Sequence, residues 1–384
     1  MIPARTVIGL GLSQLIGWGV SFYLIGNFGQ PMRQELGWSA TLVYAGMSWA
    51  IVCMALSSAL AGRAIDRWGG RRVMPAGAAL MALGCLNLAL THHAWHYFLS
   101  WTLLGLGMRL ALYDAAFAAL AYAAGPGARR AMSQITLFGG LASTVMWPAG
   151  QAMAALWGWR GALLAYAALA LALIPLHRTL PRDRAAPPAA GAATTQAASG
   201  GGTDQLLYMV VVMLTSFLAS GNATHLIALL QGLGLAAQAA VGVAALWGVG
   251  QVGARLLELA FGGHLHPVSL NLLTAAGLPL ALAAGLAAAD PRLAALYALG
   301  YGACNGLLTI TRGTLALTLF DRRHYGRIVG RLLVPSFLLS AAAPSVYAYW
   351  IDAAGPRFAM GMSVAAACVI LLASAALAWR HRPA

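Results

Sequence analysis

Five ionisable side chains stand in runs that are otherwise almost wholly apolar: Arg109, Asp114, Arg255, Glu258 and Arg312. A charge at bilayer depth costs about 2.5–3.5 kcal/mol on insertion scales, so such residues pair, face a watery cavity or serve a function. At about 1.5 Å rise per residue, Arg109 lies about 18 Å into its run, Arg255 about 24 Å and Arg312 about 29 Å. A guanidinium presents a planar fork of donors that suits a carboxylate. Arg109 and Arg255 are therefore candidate anion-binding residues, and Asp114 and Glu258 candidate proton carriers. On an unbroken helix Tyr113 shares the face of Arg109, while Asp114 lies roughly 140° round from it. The structural alternative is an interhelical pair for Arg109 and Asp114. For Arg255 it is simple neutralisation by Glu258, three residues on. Arg312 stands near the end of its run, where snorkelling to water is the bland reading.

Polar and aromatic residues in the same runs extend the candidate set. Asn305, Trp147 and Gln251 join Tyr113 as candidate substrate contacts, and Gln14, Trp18, Tyr23 and Trp247 as further cavity-lining candidates. Core packing is the alternative for each. Asn222 and His225 read as hydrogen-bonded packing residues, with pH-dependent gating as the functional option. Met209 and Met213 form a Met-x-x-x-Met pair whose thioethers suit Cu(I), although flexible Met is ordinary filler in Ala/Leu-rich helices. His92, His93 and His96 cluster in one connector, and read as wetted loop residues before a metal site. The sequence contains no GKS/T phosphate loop, His-Glu-x-x-His or Gly-x-Ser-x-Gly elbow. An enzyme is thus not expected, nor is a cofactor or metal.

These residues need long apolar elements to hold them, and the composition supplies little else. Of 384 residues, 60% are hydrophobic and 8% charged, against about 25% charged in soluble domains. A soluble enzyme, a disordered chain and a disulfide scaffold are excluded on that ground. All four cysteines, Cys53, Cys85, Cys304 and Cys368, sit inside apolar stretches without CxxC spacing. The formal charge of +14 comes from Arg scattered between apolar runs, which fits loops held against a membrane and not a nucleic-acid surface.

A bilayer core takes about 20 apolar residues per helix. Twelve spans meet that length: 6–30, 39–61, 73–91, 96–123, 131–156, 161–177, 206–229, 239–261, 268–288, 293–318, 328–350 and 358–379. The first lacks the basic flank and cleavage site of a signal peptide. Residues 179–204 form the one long Pro/Gly/Ser/Ala-rich stretch and read as a linker. The expected organisation is an N-terminal six-helix bundle over 1–178, the linker, and a C-terminal six-helix bundle over 205–384. With both termini and the linker on the cytoplasmic side, sixteen Arg fall inside and four outside. That bias sets the expected orientation.

Between the second and third spans the chain reads GRAIDRWGGRR, from Gly62 to Arg72. Gly62 allows close helix contact, Asp66 can accept from a helix N-terminus or from Arg67, and Gly69 and Gly70 permit the turn. Read blandly, this is a positive-inside loop. Its residue order, at this place among twelve spans, resembles the signature loop of the major facilitator superfamily. The segment from Leu156 to Tyr166 resembles that family's Gly-Trp-Arg hairpin between helices five and six. Gly139 to Gly150 resembles its fifth helix, with Trp147-Pro148 where proton antiporters carry Gly-Pro. The second-half copy of the loop is degenerate: Glu258 stands where Gly62 stands, and Gly262 where Asp66 stands.

The resemblance implies an all-α polytopic membrane protein of twelve helices in two six-helix bundles related by a pseudo-two-fold axis, with a substrate site between them. It implies a gating role for the loop residues Gly62, Asp66, Arg67, Gly69, Arg71 and Arg72. It also implies a secondary active transporter working by alternating access in a bacterial-type inner membrane. Carboxylate transporters of the family carry an Arg in helix eight, where Arg255 stands. Together with three membrane-depth Arg against two acids, this points to a small organic anion such as a monocarboxylate, with protons as the candidate coupling ion. Efflux of amphipathic or cationic compounds is the alternative, with Asp114 as acidic anchor. A copper importer, as in a family branch with a Met-x-x-x-Met pair, and a non-transporting receptor rank lower. The expected partners are a small-molecule substrate and membrane lipid, with no nucleic acid, and a monomer is the default.

Overall fold

The structure, a computed structural model, describes residues 2–182, 201–261, 265–321 and 324–381. Part of the predicted linker (183–200), Gly262, Arg184, Arg322, Arg323 and Arg382 lie outside the described residues. In an apolar medium each backbone N–H and C=O must be satisfied within its own segment, so long apolar runs become helices. All regular elements among the described residues are helical. Ten described segments are long and apolar enough to cross a membrane. One of them, Ala128–His177, holds two of the predicted spans. A further helix, Ala237–Phe261, has 25 residues, about 37 Å at standard rise. Helix thus makes up most of every predicted span.

The chain divides into two compact units. The first comprises Met1–Gln196 and Asp321–Val334. Its helices are α1 (Ala4–Val20), α2 (Leu24–Leu36), α3 (Ala40–Trp68), α4 (Gly70–Ala89), α5 (Ala94–Ala111), α6 (Tyr113–Ala124), α7 (Ala128–Gly140) and α8 (Ala142–His177). The second comprises Ala197–Phe320 and Pro335–Ala384. It is built from α9 (Gly202–Gly232), α10 (Ala237–Phe261), α11 (Pro267–Gly285) and α12 (Pro291–Leu319). Then α13 (Tyr325–Leu332) returns to the first unit, while α14 (Val334–Ala354) and α15 (Pro356–Arg380) complete the second.

The same pairing recurs in each unit. In the first, α3 packs on α5, α5 on α4, α4 on α8 and α8 on α1. In the second, α10 packs on α12, α12 on α11, α11 on α15 and α15 on α9. Small residues set these approaches. A Cβ on Gly105 would overlap the Ala50 carbonyl oxygen of α3, and one on Gly302 the Trp247 carbonyl oxygen of α10. Membrane helices gain by such close packing because lipid gives no hydrophobic drive to associate.

Local sequence sets the corners. Ser39 caps α3 by accepting from the Leu42 N–H at 3.2 Å. Gly69, at φ +73°, separates α3 from α4, and Gly158, at φ +68°, divides α8 into two helices. Only glycine enters that region readily. Beside the Gly158 corner, Arg160 Nε donates to Glu35 Oε1 at 2.8 Å and Nη2 to the Thr91 carbonyl at 2.8 Å. Trp159 Nε1 donates to the second Glu35 oxygen at 2.5 Å. One carboxylate and one guanidinium thus tie the ends of α2 and α4 to α8.

The span predicted at 96–123 corrects one expectation. It is not a continuous helix: Leu112, at φ −82° and ψ −168°, is extended and separates α5 from α6. The angular relation of Arg109 to Tyr113 and Asp114 inferred from one unbroken helix therefore does not hold. Arg109 occupies the last turn of α5, and Asp114 the first turn of α6. Each charge has the sign that its helix end favours.

Replacing Arg160 by Ala leaves Glu35 with only its Trp159 partner and removes the side-chain donor to the Thr91 carbonyl. The expected cost is about 1–3 kcal/mol, read as a lower thermal-unfolding midpoint in detergent; Arg160→Lys restores only part of it because it cannot make the forked contact.

Candidate functional site

Two interrupted helices meet in the first unit. The first span breaks at Ser21, whose φ of −128° and ψ of −76° end α1. Ser21 Oγ donates back to the Gly17 carbonyl at 2.6 Å, and Tyr23 N–H reaches the Trp18 carbonyl at 3.0 Å. The break at Leu112 frees carbonyls at the end of α5. Gln14 of α1 supplies the missing donor, Nε2 to the Ala111 carbonyl at 3.0 Å. Interrupted backbone at membrane depth persists where protein buries it or where it lines a cavity, and in transporters it marks binding sites.

Aromatic rings surround this junction. Trp18 lies 5.2 Å from Tyr113, between centroids, and 6.2 Å from Tyr23, which stands edge-on to Trp147 at 6.2 Å. Tyr113 stacks on Phe117 and donates to the Thr136 carbonyl of α7 at 3.2 Å. A third interruption, at Leu141, separates α7 from α8. Among the described residues, Gln14 Oε1 and Trp18 Nε1 are buried without a hydrogen-bond partner. A buried acceptor and donor of this kind are groups that a polar ligand or ordered water satisfies.

Arg109 is 2% exposed. Its Nε donates to Ser58 Oγ at 2.9 Å and its Nη2 to the Ser58 carbonyl at 3.2 Å. Asp114 is half-buried. The structure therefore gathers Tyr113, Trp147, Gln14, Trp18 and Tyr23 round the two breaks, and fastens Arg109 onto α3. In the second unit, Arg255 is 3% exposed and its Nε lies 3.4 Å from the Gly306 carbonyl of α12, to which it donates. Glu258 is buried one turn further along the unbroken α10. Gln251 and Asn305 are half-buried on α10 and α12. Asn222 sits in a buried network: Tyr297 donates to its Oδ1 at 2.6 Å, and its Nδ2 donates to Tyr347 at 3.1 Å. His225 Nε2 donates to the Pro344 carbonyl at 2.8 Å. Arg312 lies 5.7 Å over the Phe337 ring. Among the described residues, no cluster of His, Cys, Asp and Glu could hold a metal.

The signature loop is fastened to α13. Asp66 Oδ1 accepts from the Gly326 N–H at 2.9 Å and Oδ2 from the Arg327 N–H at 2.7 Å. The carboxylate therefore caps the N-terminus of α13, where a helix leaves N–H groups unpaired and favours negative charge. Closer in, a Cβ on Gly62 would overlap the Gly326 carbonyl oxygen, and one on Gly330 would come 2.6 Å from the Ser58 carbonyl oxygen. Sequence reasoning missed Ser58, Gly326 and Gly330. The signal was present: Ser58-x-x-x-Gly62 and Gly326-x-x-x-Gly330 are both small-xxx-small patterns. The breaks at Ser21 and Leu112 had no such signal, since neither lies at a Pro or Gly.

A membrane protein of twelve helical spans, with the same helix pairing in two units and an acid-capped loop after the second span, is the class these features define. Residues 10–330 match the model of the Major Facilitator Superfamily, and the chain belongs to that family. No curated protein sequence matches it. Among solved structures, it is similar to the proton:xylose symporter XylE bound to 6-bromo-6-deoxy-D-glucose. That alignment has a TM-score of 0.74 at 15% identity, covering 99% of this chain and 95% of that one. It is also similar to the human organic anion transporter MFSD10, with a TM-score of 0.73 at 17% identity over 97% of this chain and all of that one. For the transporter FucP in its outward conformation the TM-score is 0.68 at 14% identity, covering 97% and 98% of the two chains. Identities this low show the fold alone.

Gln14→Leu keeps the volume but leaves the Ala111 carbonyl unsatisfied. The expected loss is about 1–3 kcal/mol of stability, measured by thermal unfolding, and Gln14→Glu is expected to cost at least as much, because a carboxylate accepts and cannot donate to that carbonyl.

Proposed function

We propose that this chain is a secondary active transporter of a small organic anion, working by alternating access. The observation that supports this most is the junction of the two interrupted helices. Opposite charges stand at the ends of the broken fourth span, and Gln14 Oε1 and Trp18 Nε1 are buried beside it without partners. The cargo class rests on the chain's own charges, because the fold is shared by a proton:xylose symporter and an organic anion transporter alike. Three membrane-depth Arg against two acids favour an anion.

Arg109 and Arg255 are the proposed anion contacts, with Tyr113, Trp147, Gln251 and Asn305 as lining residues. Asp114 and Glu258 are the proposed proton carriers. In this conformation Ser58 occupies the Arg109 fork, so a carboxylate must compete with the serine oxygens for it. The Asp66 cap on α13 is the proposed latch, and Gly62, Gly69, Arg67, Arg71 and Arg72 shape the loop that carries it. An inner membrane with cytoplasmic termini is the proposed placement, supported by the Arg distribution, and a single chain is the proposed working unit.

A second reading is favoured by the aromatic cluster of Trp18, Tyr23, Tyr113 and Trp147: efflux of amphipathic or cationic compounds, which stack on such faces. Susceptibility to such compounds, compared with and without the protein, separates it from the first.

Counterflow in proteoliposomes against a carboxylate panel tests the anion reading. The active compound loses at least about tenfold in uptake with Arg109→Ala or Arg255→Ala, whereas Ser58→Ala tightens its half-saturation several-fold. Unchanged uptake in both Arg variants overturns it. Asp66→Asn retains the shape but weakens the cap by about 0.3–1 kcal/mol. It is expected to slow exchange without loss of ligand binding, checked by comparing counterflow rate with equilibrium binding.

A further inference from the structure

The end of α3, the start of α4 and the chain leaving α8 flank a half-open cavity of about 860 Å³ that is separate from the membrane-depth residues above. Arg67, Arg71, Arg72, Arg178, Arg182 and Tyr122 line it, and no carboxylate does so among the described residues. Asp66, the adjoining acid in sequence, is engaged by the amides of α13. The wall is built: Arg71 donates to the carbonyls of Arg178 and of Leu180, the latter at 2.8 Å, which holds the chain leaving α8 against α4. A positive-inside loop needs Arg but no concavity, and this half-open space is within the range of small-molecule sites, about 300–1,000 Å³. The first turn of α4 contributes to the lining and adds its own preference for negative charge.

An apolar groove of about 390 Å³ adjoins it, sharing Arg67 and Trp68 and running along Leu60, Ala61, Leu106 and Leu110 of α3 and α5. A basic cavity opening beside an apolar groove matches a molecule with an anionic head and a hydrocarbon tail. Arg forks suit a phosphate, and basic pockets beside membrane helices recruit anionic headgroups. We propose that this composite site binds an anionic phospholipid, with its phosphate among the five Arg and an acyl chain along the groove. Trp68, half-exposed where the two meet, is of the residue type enriched at membrane–water boundaries.

The test titrates phosphatidylglycerol into the full chain in neutral detergent and reads lipid adducts by native mass spectrometry. Phosphatidylcholine and free glycerophosphate serve as the comparison probes. Saturable phosphatidylglycerol binding is expected, weakened about tenfold by Arg72→Gln with Arg182→Gln. Binding is expected to be unaffected by the charge-matched pair Arg5→Gln with Arg130→Gln, and reduced by Leu60→Gln. If the double variant does not purify as a monodisperse protein, Arg182→Gln alone carries the comparison. Equal phosphatidylglycerol retention in wild type and the cavity variants overturns the proposal. So does glycerophosphate binding as tightly as the lipid, which would leave the groove without a part.

Discussion

An unpaired backbone carbonyl in hydrocarbon costs several kcal/mol, and nothing in lipid can offset it. That single constraint makes the apolar runs helical among the described residues. It also makes each interruption conspicuous, because an interrupted helix must find donors and acceptors elsewhere. At Leu112 the released carbonyl of Ala111 takes Gln14 from another span. At Ser21 the hydroxyl turns back onto its own helix. The first unit thus couples two interrupted spans through one amide side chain, and the aromatic cluster closes round that coupling.

The same constraint explains how charge is tolerated. Arg109 lies at a helix C-terminus and donates to hydroxyl and carbonyl oxygens of α3; Asp114 lies at a helix N-terminus. The Leu112 break creates both ends, so the interruption and the charges stabilise one another. Asp66, in the last turn of α3, applies the same principle across elements: its carboxylate meets the first amides of α13. That contact draws a segment from the second half of the sequence into the first unit. It depends on glycine, since any Cβ at Gly62 would meet the Gly326 carbonyl.

Much of this was legible beforehand. Long apolar runs located the spans, because a bilayer fixes how many residues one crossing needs. The Gly62–Arg72 loop named the family that the match over residues 10–330 shows. The corner at Gly158 lies in the gap left between two predicted spans. Less was legible at the site. A helical wheel assumes an unbroken helix, so it misplaced Tyr113 and Asp114 relative to Arg109. Ser58 was overlooked as an ordinary small residue in an apolar run, although its spacing to Gly62 marks a packing face.

Apolar run length, Arg distribution and a glycine-rich loop are properties of single segments, and the sequence alone settled them: a polytopic helical protein, where its spans lie, and the loop motif. Which oxygen holds Arg109, where the first and fourth spans break, and which helix Asp66 caps depend on atoms from segments distant in the chain. Asp66 and Gly326 are 260 residues apart. Only packing brings such groups within hydrogen-bond reach, and periodicity along one helix has no access to that distance.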